Sequence, residues 1–566
     1  MNSITHLGGE NTVTGSCHLL QANGLNILVD CGLAQGSDEV IPFAQWPVQP
    51  KQIDYLFLTH AHIDHIGRIP ELVQKGFSGE IICSHPTKAL LFPMLTDAMG
   101  FADLSKKEIH QLSKKIDELS WGFEYGHEFA LKKGITFKLG RAGHILGSAF
   151  IKFTIPIRPD FVTPAKAGVQ YPVSAGTPAP EPGTTSSLPR KWESSTPLQS
   201  SSPRRWGTRG ASSTHQSLSS NTPHRQTEPR LSSNAASSLP RRRESSVPPQ
   251  SSSPRRRGSR GSSIAHQSLS FNTPHLHTEP KQTPNTYTII FSGDLGNKNT
   301  PILPDPDIPD PCDLLILEST YGNRLHENRE DRLDRLNAAL KRAIKDNGKI
   351  FIPAFSLGRT QEILFEFDRL FTRSEWQKKK IPVFVDSPLG LQITKIYSNL
   401  SSWWDKESSN LLNNDDHPFD FDHLYSVPSF KDHAELLKIP GPAIIIAGSG
   451  MCTGGRIIDH LISGLPEPKN DVFFVGYQAP GTPGHELSAR SHQPTNVYLK
   501  GRKTQIKAKV EQLTGYSSHA DQPGLIDWVQ SMPSKPGKIK LVHGNPKAQK
   551  ELRDNLIKLD LNIIEP

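Results

Sequence analysis

The sequence predicts an α/β protein that carries its functional groups at the ends of strands. Short apolar runs end on aspartate or histidine in the first part of the chain, as at residues 26–30 and 55–60. From about residue 323, apolar runs typical of strands alternate with helical patterns, which indicates a largely parallel sheet. Residues 158–285 interrupt this organisation, because Ser, Pro and Arg dominate there and apolar residues are too few to build a core.

The most informative segment is the turn at residues 60–65. It places four metal-binding side chains directly after an apolar run: His60, His62, Asp64 and His65. Imidazole suits zinc, and a carboxylate among histidines suits a site with more than one metal. The alternative is a solvated, His-rich loop, but donors this dense that are delivered by a strand favour a rigid site.

Asp30, His144 and Asp294 each lie beside another apolar run. An aspartate at such a place is by itself more often an ordinary turn residue, so only the repeated placement indicates one shared site. The runs at 149–157 and 286–292 predict a hairpin. Such a hairpin would hold His144 and Asp294 at one end, while the Ser/Pro/Arg-rich segment leaves from the other.

Together these motifs resemble a known family. A turn of the form HxHxDH, a later histidine and a later aspartate are the signature of the metallo-β-lactamase superfamily. Three further segments resemble the successive motifs of its β-CASP nucleases, namely residues 315–322 with Glu318, 517–521 with His519, and 540–544 with His543. The segments at 353–362, 386–388, 448–451 and 476–479 are also similar to that group. The resemblance covers the whole chain except roughly residues 158–285.

The resemblance implies an αββα metallo-β-lactamase sandwich with an inserted β-CASP α/β domain and a long, disordered, low-complexity insertion. The expected ranges are 1–157, 286–322 and 485–566 for the sandwich, 323–484 for the β-CASP domain and 158–285 for the insertion. Within the β-CASP domain, the apolar patterns predict helices at 330–346 and 358–371 and strands at 349–353, 381–385 and 443–447. The insertion repeats short segments without the periodic apolar positions of a folded repeat. We expect it to be passive, with an arginine-rich RNA tether as the alternative.

By this resemblance, the chain binds two Zn²⁺ ions. One is expected on His60, His62 and His144, the other on Asp64, His65 and His543, with Asp294 bridging both. Two such metals share a hydroxide that attacks a phosphodiester, so Asp64 also counts as catalytic. Asp30 has no clear metal role, and we expect it to orient the turn at 60–65 from behind the ligands.

His519 is the candidate general acid, which would protonate the departing 3′ oxygen. Glu318 is its natural partner, since a nearby carboxylate favours imidazolium. Position alone leaves another interpretation open, in which Ser517 and Ser518 cap the following helix and His519 is an exposed residue of its first turn. The corresponding alternative for His543 is a turn residue ahead of a glycine.

The expected function is that of a zinc-dependent endoribonuclease acting on single-stranded RNA. His543 favours RNA, because DNA-directed members of the family tend to carry an apolar residue there. Phosphate contacts are expected from Arg359, Ser387 and Ser449, which lie in glycine- or hydroxyl-bearing segments after strands. The alternatives are a 5′→3′ exoribonuclease of the same family and a catalytically inactive RNA-binding platform.

Charge and cysteine content restrict the cellular setting. Residues 158–285 hold 17 Lys and Arg against 6 Asp and Glu, a net +11, so the rest of the chain carries −3 and the total of +8 says little about the active region. The five cysteines are scattered and form no CxxC pair, which indicates a reducing compartment. Without a signal-peptide pattern or an apolar run of ~18 residues, we expect a cytoplasmic protein with no membrane partner, and a homodimer is possible.

Overall fold

The computed structural model describes residues 2–36, 38–102, 104–157, 285–326, 329–413, 416–489 and 495–565. The predicted disordered insertion at 158–285 lies outside these residues, apart from Asn285. Within the described ranges, two six-stranded sheets are followed by a third six-stranded sheet and a two-stranded one. Among the helices in these ranges, none combines the length and apolar character that a bilayer crossing requires.

The first sheet is antiparallel at one edge and parallel at the other. Its strands, in spatial order, are β1 (Ser3–Gly8), β2 (Cys17–Ala22), β3 (Leu25–Val29), β4 (Tyr55–Phe57), β5 (Glu80–Ser84) and β6 (Ser120–Phe123). The connections between its last three strands pass through α1 (Ile63–Ile66), α2 (Ile69–Gln74), α3 (His85–Met99) and α4 (Lys106–Leu119). Parallel neighbours need such crossovers, which place these helices on one face of the sheet.

The second sheet combines an antiparallel meander with parallel strands. Its strands, in chain order, are β7 (Glu128–Ala130), β8 (Thr136–Arg141), β9 (Ala149–Pro156), β10 (Thr286–Phe291), β11 (Leu314–Glu318) and β20 (Lys538–Val542). They are hydrogen-bonded in the order β20-β11-β10-β9-β8-β7. Because β9 and β10 pair antiparallel, with Pro156 opposite Thr286 and Ile151 opposite Phe291, the predicted hairpin is confirmed.

Aromatic side chains join the inner faces of these two sheets. Phe57 on β4 lies 4.9 Å from Phe137 on β8 and 4.8 Å from Phe153 on β9, measured between ring centroids. The outer face of the first sheet packs on the helices α2 and α3, and that of the second on α13 (Gln522–Gln530) and α14 (Pro546–Lys558). This is the predicted αββα sandwich, which the structure confirms.

The third sheet is parallel throughout. Its strands are hydrogen-bonded in the order β14 (Leu424–Ser426), β13 (Val383–Asp386), β15 (Ala443–Ala447), β12 (Lys349–Pro353), β16 (Asp471–Phe474) and β19 (Lys509–Gln512). Helices surround it: α5 (Arg332–Ala343), α6 (Arg359–Phe371), α7 (Ser374–Gln377), α8 (Pro388–Asn399), α9 (Lys406–Asn413), α10 (Phe430–Leu436), α11 (Ile457–Gly464) and α12 (Pro483–Ala489). The strands predicted at 349–353 and 443–447 begin and end where expected.

The chain leaves the third sheet later than predicted. We expected a return to the sandwich near residue 485, but the hairpin of β17 (Thr495–Leu499) and β18 (Arg502–Ile506) still packs on the third sheet, and β19 pairs with β16. Burial explains this, since Val497, Leu499 and Val510 complete the apolar core on that face. The return to the sandwich therefore comes after Gln512.

The geometry at the end of the β9–β10 hairpin predicts that the segment between the two strands can be deleted. Ile157 donates its backbone N–H to the carbonyl of Asn285 at 2.7 Å, so the two chain ends already meet in hairpin geometry. We predict that replacing residues 158–284 with an Asn-Gly turn leaves the fold intact, because such a turn suits a two-residue connection. A shorter loop also reduces the closure entropy, by about 0.6 kcal/mol for each halving of length.

The measurement is the thermal unfolding midpoint, which should stay the same or rise. A control deletion that also removes residues 154–157 and 285–288 should lower it, since Ile155 is fully buried. An unfolded product from the first deletion would contradict the prediction.

Candidate metal centre and active site

The turn at residues 60–65 connects the end of β4 to α1. His60 and His62 lie in the extended segment between Phe57 and Ile63, whereas Asp64 and His65 belong to the short helix itself. A buried strand on one side and a half-buried helix on the other fix both halves of the turn. The structure therefore brings all four predicted ligands to the same end of the sandwich.

Three imidazoles form the first ligand group. His62 Nδ1 lies 3.0 Å from His60 Nε2 and 3.1 Å from His144 Nε2. Ligands bound tetrahedrally at ~2.0–2.1 Å would lie roughly 3.3 Å apart, so the three nitrogens can face one metal ion. Burial lowers the pKa of His62 to about 4 and those of His60 and His144 well below their usual value. Neutral imidazole is the form that coordinates a metal.

A second group gathers around His65, His543 and Asp64. His543 Nε2 lies 3.9 Å from Asp64 Oδ2, and His65 Nε2 lies 3.3 Å from Asp294 Oδ1. His543 follows β20 with a left-handed backbone, at φ 51°. The predicted third-motif histidine thus reaches the turn at 60–65 from the far end of the chain.

Asp294 lies between the two groups. Its Oδ2 is 3.5 Å from His60 Nε2, while its Oδ1 is 3.5 Å from His543 Nδ1, so each carboxylate oxygen faces one group. Burial opposes the charged form, but the surrounding histidines hold the pKa of Asp294 well below its usual range. The preceding Gly293 is required, since its φ is +55° and a Cβ there would lie 2.7 Å from Thr59 Cβ.

Several polar atoms in this cluster have no hydrogen-bond partner. They are His65 Nε2, Asp294 Oδ1 and His543 Nε2, all buried. A buried polar group without a partner costs about 1–3 kcal/mol, and native proteins rarely leave several together. Cations coordinated by these atoms would satisfy them, so the residues present fit metal ions.

Asp30 supports the second group from behind, as the sequence suggested. It accepts hydrogen bonds from His65 Nδ1 at 2.7 Å and from both the N–H and the hydroxyl of Thr59 at 2.8 Å. Burial disfavours a charged His65, but the Asp294 and Asp30 carboxylates outweigh it and raise the pKa of His65 well above its usual value. With Nδ1 bonded to Asp30, the Nε2 of His65 is turned toward Asp294. Thr59 was missed, although a hydroxyl residue directly before the first histidine was a usable signal.

His519 and Glu318 form a pair beside the predicted metal ligands. His519 Nδ1 lies 3.3 Å from both carboxylate oxygens of Glu318, and its Nε2 lies 3.8 Å from Asp294 Oδ2. Burial lowers the pKa of His519, but the carboxylates of Glu318 and Asp294 outweigh it and raise it to about 9. The capping alternative is wrong, because Asp521 is the N-cap of α13 and accepts from Gly524 N at 3.0 Å.

The backbone around His519 is held by side chains that the sequence analysis did not identify. His326 Nε2 lies 2.9 Å from the carbonyl oxygen of His519. Arg329 Nη1 donates to the carbonyl of Ser517 at 2.7 Å, and Asn297 Nδ2 donates to the same oxygen at 3.1 Å. These contacts join residues about 190–220 positions apart, so no local sequence signal announces them.

The three predicted phosphate-binding residues lie at the carboxyl ends of the third sheet. Arg359 is 6% exposed, with Nη1 bonded to Glu362 and Nη2 donating to Ser518 Oγ at 3.2 Å, which leaves only its Nε without a partner. Ser387 Oγ accepts from the backbone at the start of α8, and Ser449 Oγ accepts from the loop after β15. Arg359 thus connects this loop cluster to the His519 segment, and the phosphate roles of all three residues stay predictions.

Asp386, at the end of β13, forms a separate buried cluster. Its Oδ2 lies 2.6 Å from His433 Nδ1 and 2.6 Å from His460 Nε2, while Arg456 Nη1 donates to its Oδ1 at 2.8 Å. These are lengths of charge-assisted hydrogen bonds, shorter than the 3.0–3.9 Å spacings among the metal ligands. The arginine also supplies the balancing charge, so this cluster stabilises the sheet end that carries Ser387.

Comparisons with known proteins agree with this architecture. Residues 11–147 match the metallo-beta-lactamase superfamily, residues 360–487 the Beta-Casp domain, and residues 503–566 the Zn-dependent metallo-hydrolase RNA specificity domain. Ribonuclease TTHA0252 of Thermus thermophilus is 28% identical over 96% of this chain and 93% of its own length. Transcription termination factor FttA of Methanocaldococcus jannaschii is 22% identical over 98% of this chain and 69% of its own. Cleavage and polyadenylation specificity factor 73 of Drosophila melanogaster is 22% identical over 97% and 61%.

The Thr59 contacts predict a loss of metal affinity. Thr59→Val keeps the shape of the side chain but removes the hydroxyl that donates to Asp30. Because support of this kind orients a metal ligand, we expect metal affinity to fall roughly 10- to 100-fold. Competition with a chromogenic chelator measures it. Thr59→Ser, which retains the hydroxyl, is the matched control and should stay near wild type; equal affinities in both variants would refute the role of Thr59.

Proposed function

Because the chain belongs to the β-CASP group of the metallo-β-lactamase superfamily, we propose that it is a zinc-dependent endoribonuclease that cleaves single-stranded RNA. One observation carries the proposal: the predicted ligands converge on Asp294 directly beside the His519–Glu318 pair. The match to an RNA specificity domain and the names of the similar ribonuclease and cleavage factor favour RNA as the substrate.

We propose that this site holds two Zn²⁺ ions. His60, His62 and His144 would hold one ion, Asp64, His65 and His543 the other, and Asp294 would bind both. When bound, zinc supplies a water-derived nucleophile at neutral pH and offsets charge on a phosphate. Asp30 and Thr59 keep the Nε2 of His65 turned toward the ions.

His519 would serve as the general acid. Its Nδ1 faces Glu318, which leaves Nε2 to carry a proton toward the departing 3′ oxygen of the RNA. The Glu318 carboxylate favours this protonated form, and Leu295 N donates to Glu318 Oε1 at 2.6 Å and thereby orients the carboxylate. Ser387, Ser449 and Arg359 would then face the phosphates farther along the strand.

End-labelled RNA tests the proposal against the exonuclease alternative. Purified, zinc-loaded protein is incubated with RNA labelled at the 5′ or the 3′ end, and the products are sized over time. We expect labelled fragments of intermediate length from both substrates, because the enzyme cuts at internal bonds. Mononucleotides released progressively from the 5′ end would instead establish the 5′→3′ exoribonuclease, and binding without any cleavage would establish the inactive platform.

Two further expectations concern the cell and the assembly. The five cysteines are all buried and unpaired, which supports a reducing, cytoplasmic location. The homodimer stays a prediction, and light scattering of the purified protein tests it.

Removal of the shared carboxylate should reduce the amount of bound metal. We predict that Asp294→Ala binds fewer than two zinc ions per chain and does not cleave RNA, because Asp294 faces both ligand groups. Elemental analysis of the purified variant measures the metal. Asp310→Ala is a suitable control, since Asp310 pairs with Lys138 and Lys152 on the surface instead. Two tightly held ions in Asp294→Ala would rule out the bridging role.

Removal of the proposed acid should slow cleavage without loss of metal. We predict that His519→Ala reduces the rate about 10²–10⁴-fold, the usual contribution of a general acid, while zinc content stays at the wild-type level. An RNA with a better 3′-oxygen leaving group should recover much of the rate. The exposed His110→Ala is the matched control. Wild-type rates in His519→Ala would exclude the acid role.

A further inference from the structure

An aromatic and arginine cluster lies beside the catalytic pair. The Tyr321 ring is 5.8 Å from the His519 ring and 6.3 Å from the Tyr477 ring, between centroids. The guanidinium of Arg324 lies 5.4 Å from both tyrosine rings. Tyr321 is buried, whereas Tyr477 is half-buried and Arg324 is exposed. The accessible part of the cluster therefore lies within about 12 Å of the group that would protonate the leaving oxygen.

A second exposed aromatic residue, Phe355, lies at the carboxyl end of the third sheet. It follows β12 and is 36% exposed, although it lies among buried neighbours. Its ring packs on Gly450, where a Cβ would lie 2.8 Å from the ring, and a Cβ at Gly476 would lie 3.8 Å from it. Gly476 directly precedes Tyr477, so Phe355 lies beside the loop that carries Tyr477. Glycine at positions 450 and 476 leaves room for the Phe355 ring. That ring nevertheless remains partly exposed to solvent.

This surface also adjoins the His519 segment through Arg359. A Cβ at Gly476 would lie 3.9 Å from Arg359 Nε, and Arg359 Nη2 donates to Ser518 Oγ at 3.2 Å. Phe355, Tyr477 and the catalytic histidine are thus linked by a short series of direct neighbours. A ligand that occupies the metal centre would pass this surface when it extends toward the third sheet.

We propose that Phe355, Tyr477 and Arg324 form a stacking subsite for an unpaired nucleobase next to the reacting phosphate. This inference rests on the proposed function and names how the substrate is recognised. Aromatic rings and guanidinium planes stack on any base, because every base has a π face. The subsite therefore selects single strands rather than a sequence, since a base inside a duplex has both faces covered.

The proposed subsite also accounts for the position of the Arg324 side chain. Arg324 is exposed, yet it lies over two aromatic rings instead of pairing with a carboxylate in any contact that the structure describes. Such an arginine can stack on a base and at the same time attract the phosphate backbone. A cation–π contact that only stabilised the fold would explain the position of Arg324, but it would not explain why Phe355 is also exposed.

An abasic scan tests the proposal. Short single-stranded RNAs with one abasic nucleotide at successive positions around the cleavage site are compared with the intact RNA. We expect the abasic nucleotide at one of these positions to raise KM, or the Kd measured by fluorescence anisotropy, roughly 5- to 150-fold. This is the range expected for loss of one stacked base. Phe355→Ala and Tyr477→Ala should raise the same constants on intact RNA and make the enzyme insensitive to that abasic position.

Controls separate stacking from damage to the fold. Tyr498→Ala removes an exposed tyrosine on β17, outside the proposed subsite, and should leave KM unchanged. Phe355→Trp should retain binding, because a larger ring also stacks, and zinc content should stay constant in every variant. The proposal predicts that, at one position, the abasic nucleotide no longer weakens binding once Phe355 is replaced by Ala. If the fold-increases in Kd caused by the abasic nucleotide and by Phe355→Ala instead multiply at every position, the stacking subsite is wrong. If the wild type binds RNA with this abasic signature but cleaves nothing, the subsite stands and the proposed nuclease function fails.

Discussion

The buried carboxylate of Asp294 is the interaction on which the rest of the site depends. Five histidines, contributed by both sheets and by the segment before α13, place a ring nitrogen within 3.3–3.8 Å of it. A buried anion is costly unless positive charge compensates it. The carboxylates raise the pKa values of His65 and His519, whereas burial lowers those of His60 and His144, so only part of the surrounding imidazole set favours a positive charge. Metal ions at the proposed site would supply positive charge to the carboxylate and accept the lone pairs of neutral imidazoles. Stability at this end of the sandwich would then be coupled to metal binding.

The sandwich delivers these ligands because they lie where the chain leaves its strands. At such exits the backbone turns sharply, and two non-glycine residues adopt left-handed conformations, Asp30 at φ 60° and His543 at φ 51°. Each costs on the order of 1–3 kcal/mol, which persists only where surrounding contacts fix the conformation. Those contacts are present: His543 N donates to the carbonyl of Gly9, and Asp30 N donates to that of Phe57. These contacts thus hold His543 and Asp30, which is hydrogen-bonded to His65, in one orientation without a metal.

The sequence was most informative where local pattern and chemistry coincide. A strand followed by dense donors predicts both an element and a ligand, so the turn at 60–65, the β9–β10 hairpin and the strands at 349–353 and 443–447 could be read directly. Contacts made by ordinary polar residues could not be predicted in this way. His326 and Arg329, for example, contact the backbone carbonyls of His519 and Ser517, which are far away in sequence. The late return to the sandwich was missed for a related reason. Strand β19 is recognisable only through its partner β16, since four residues with one buried valine carry little periodic signal.

The position of His519 depends on both parts of the fold. Glu318 belongs to the sandwich and fixes one side of His519, whereas Arg329 and Arg359 reach the preceding serines from the chain that leads into the third sheet and its helix α6. Because Arg359 is buried and pairs with Glu362, and the Arg329 side chain is only 13% exposed, they hold the segment rigidly instead of yielding to solvent. A shift of the third sheet would therefore displace His519 relative to Glu318 and the metal ligands. Under the proposed function, a substrate that binds across both parts would stabilise the arrangement in which the proposed acid and metal centre are aligned, so recognition by the third sheet would contribute to the catalytic geometry.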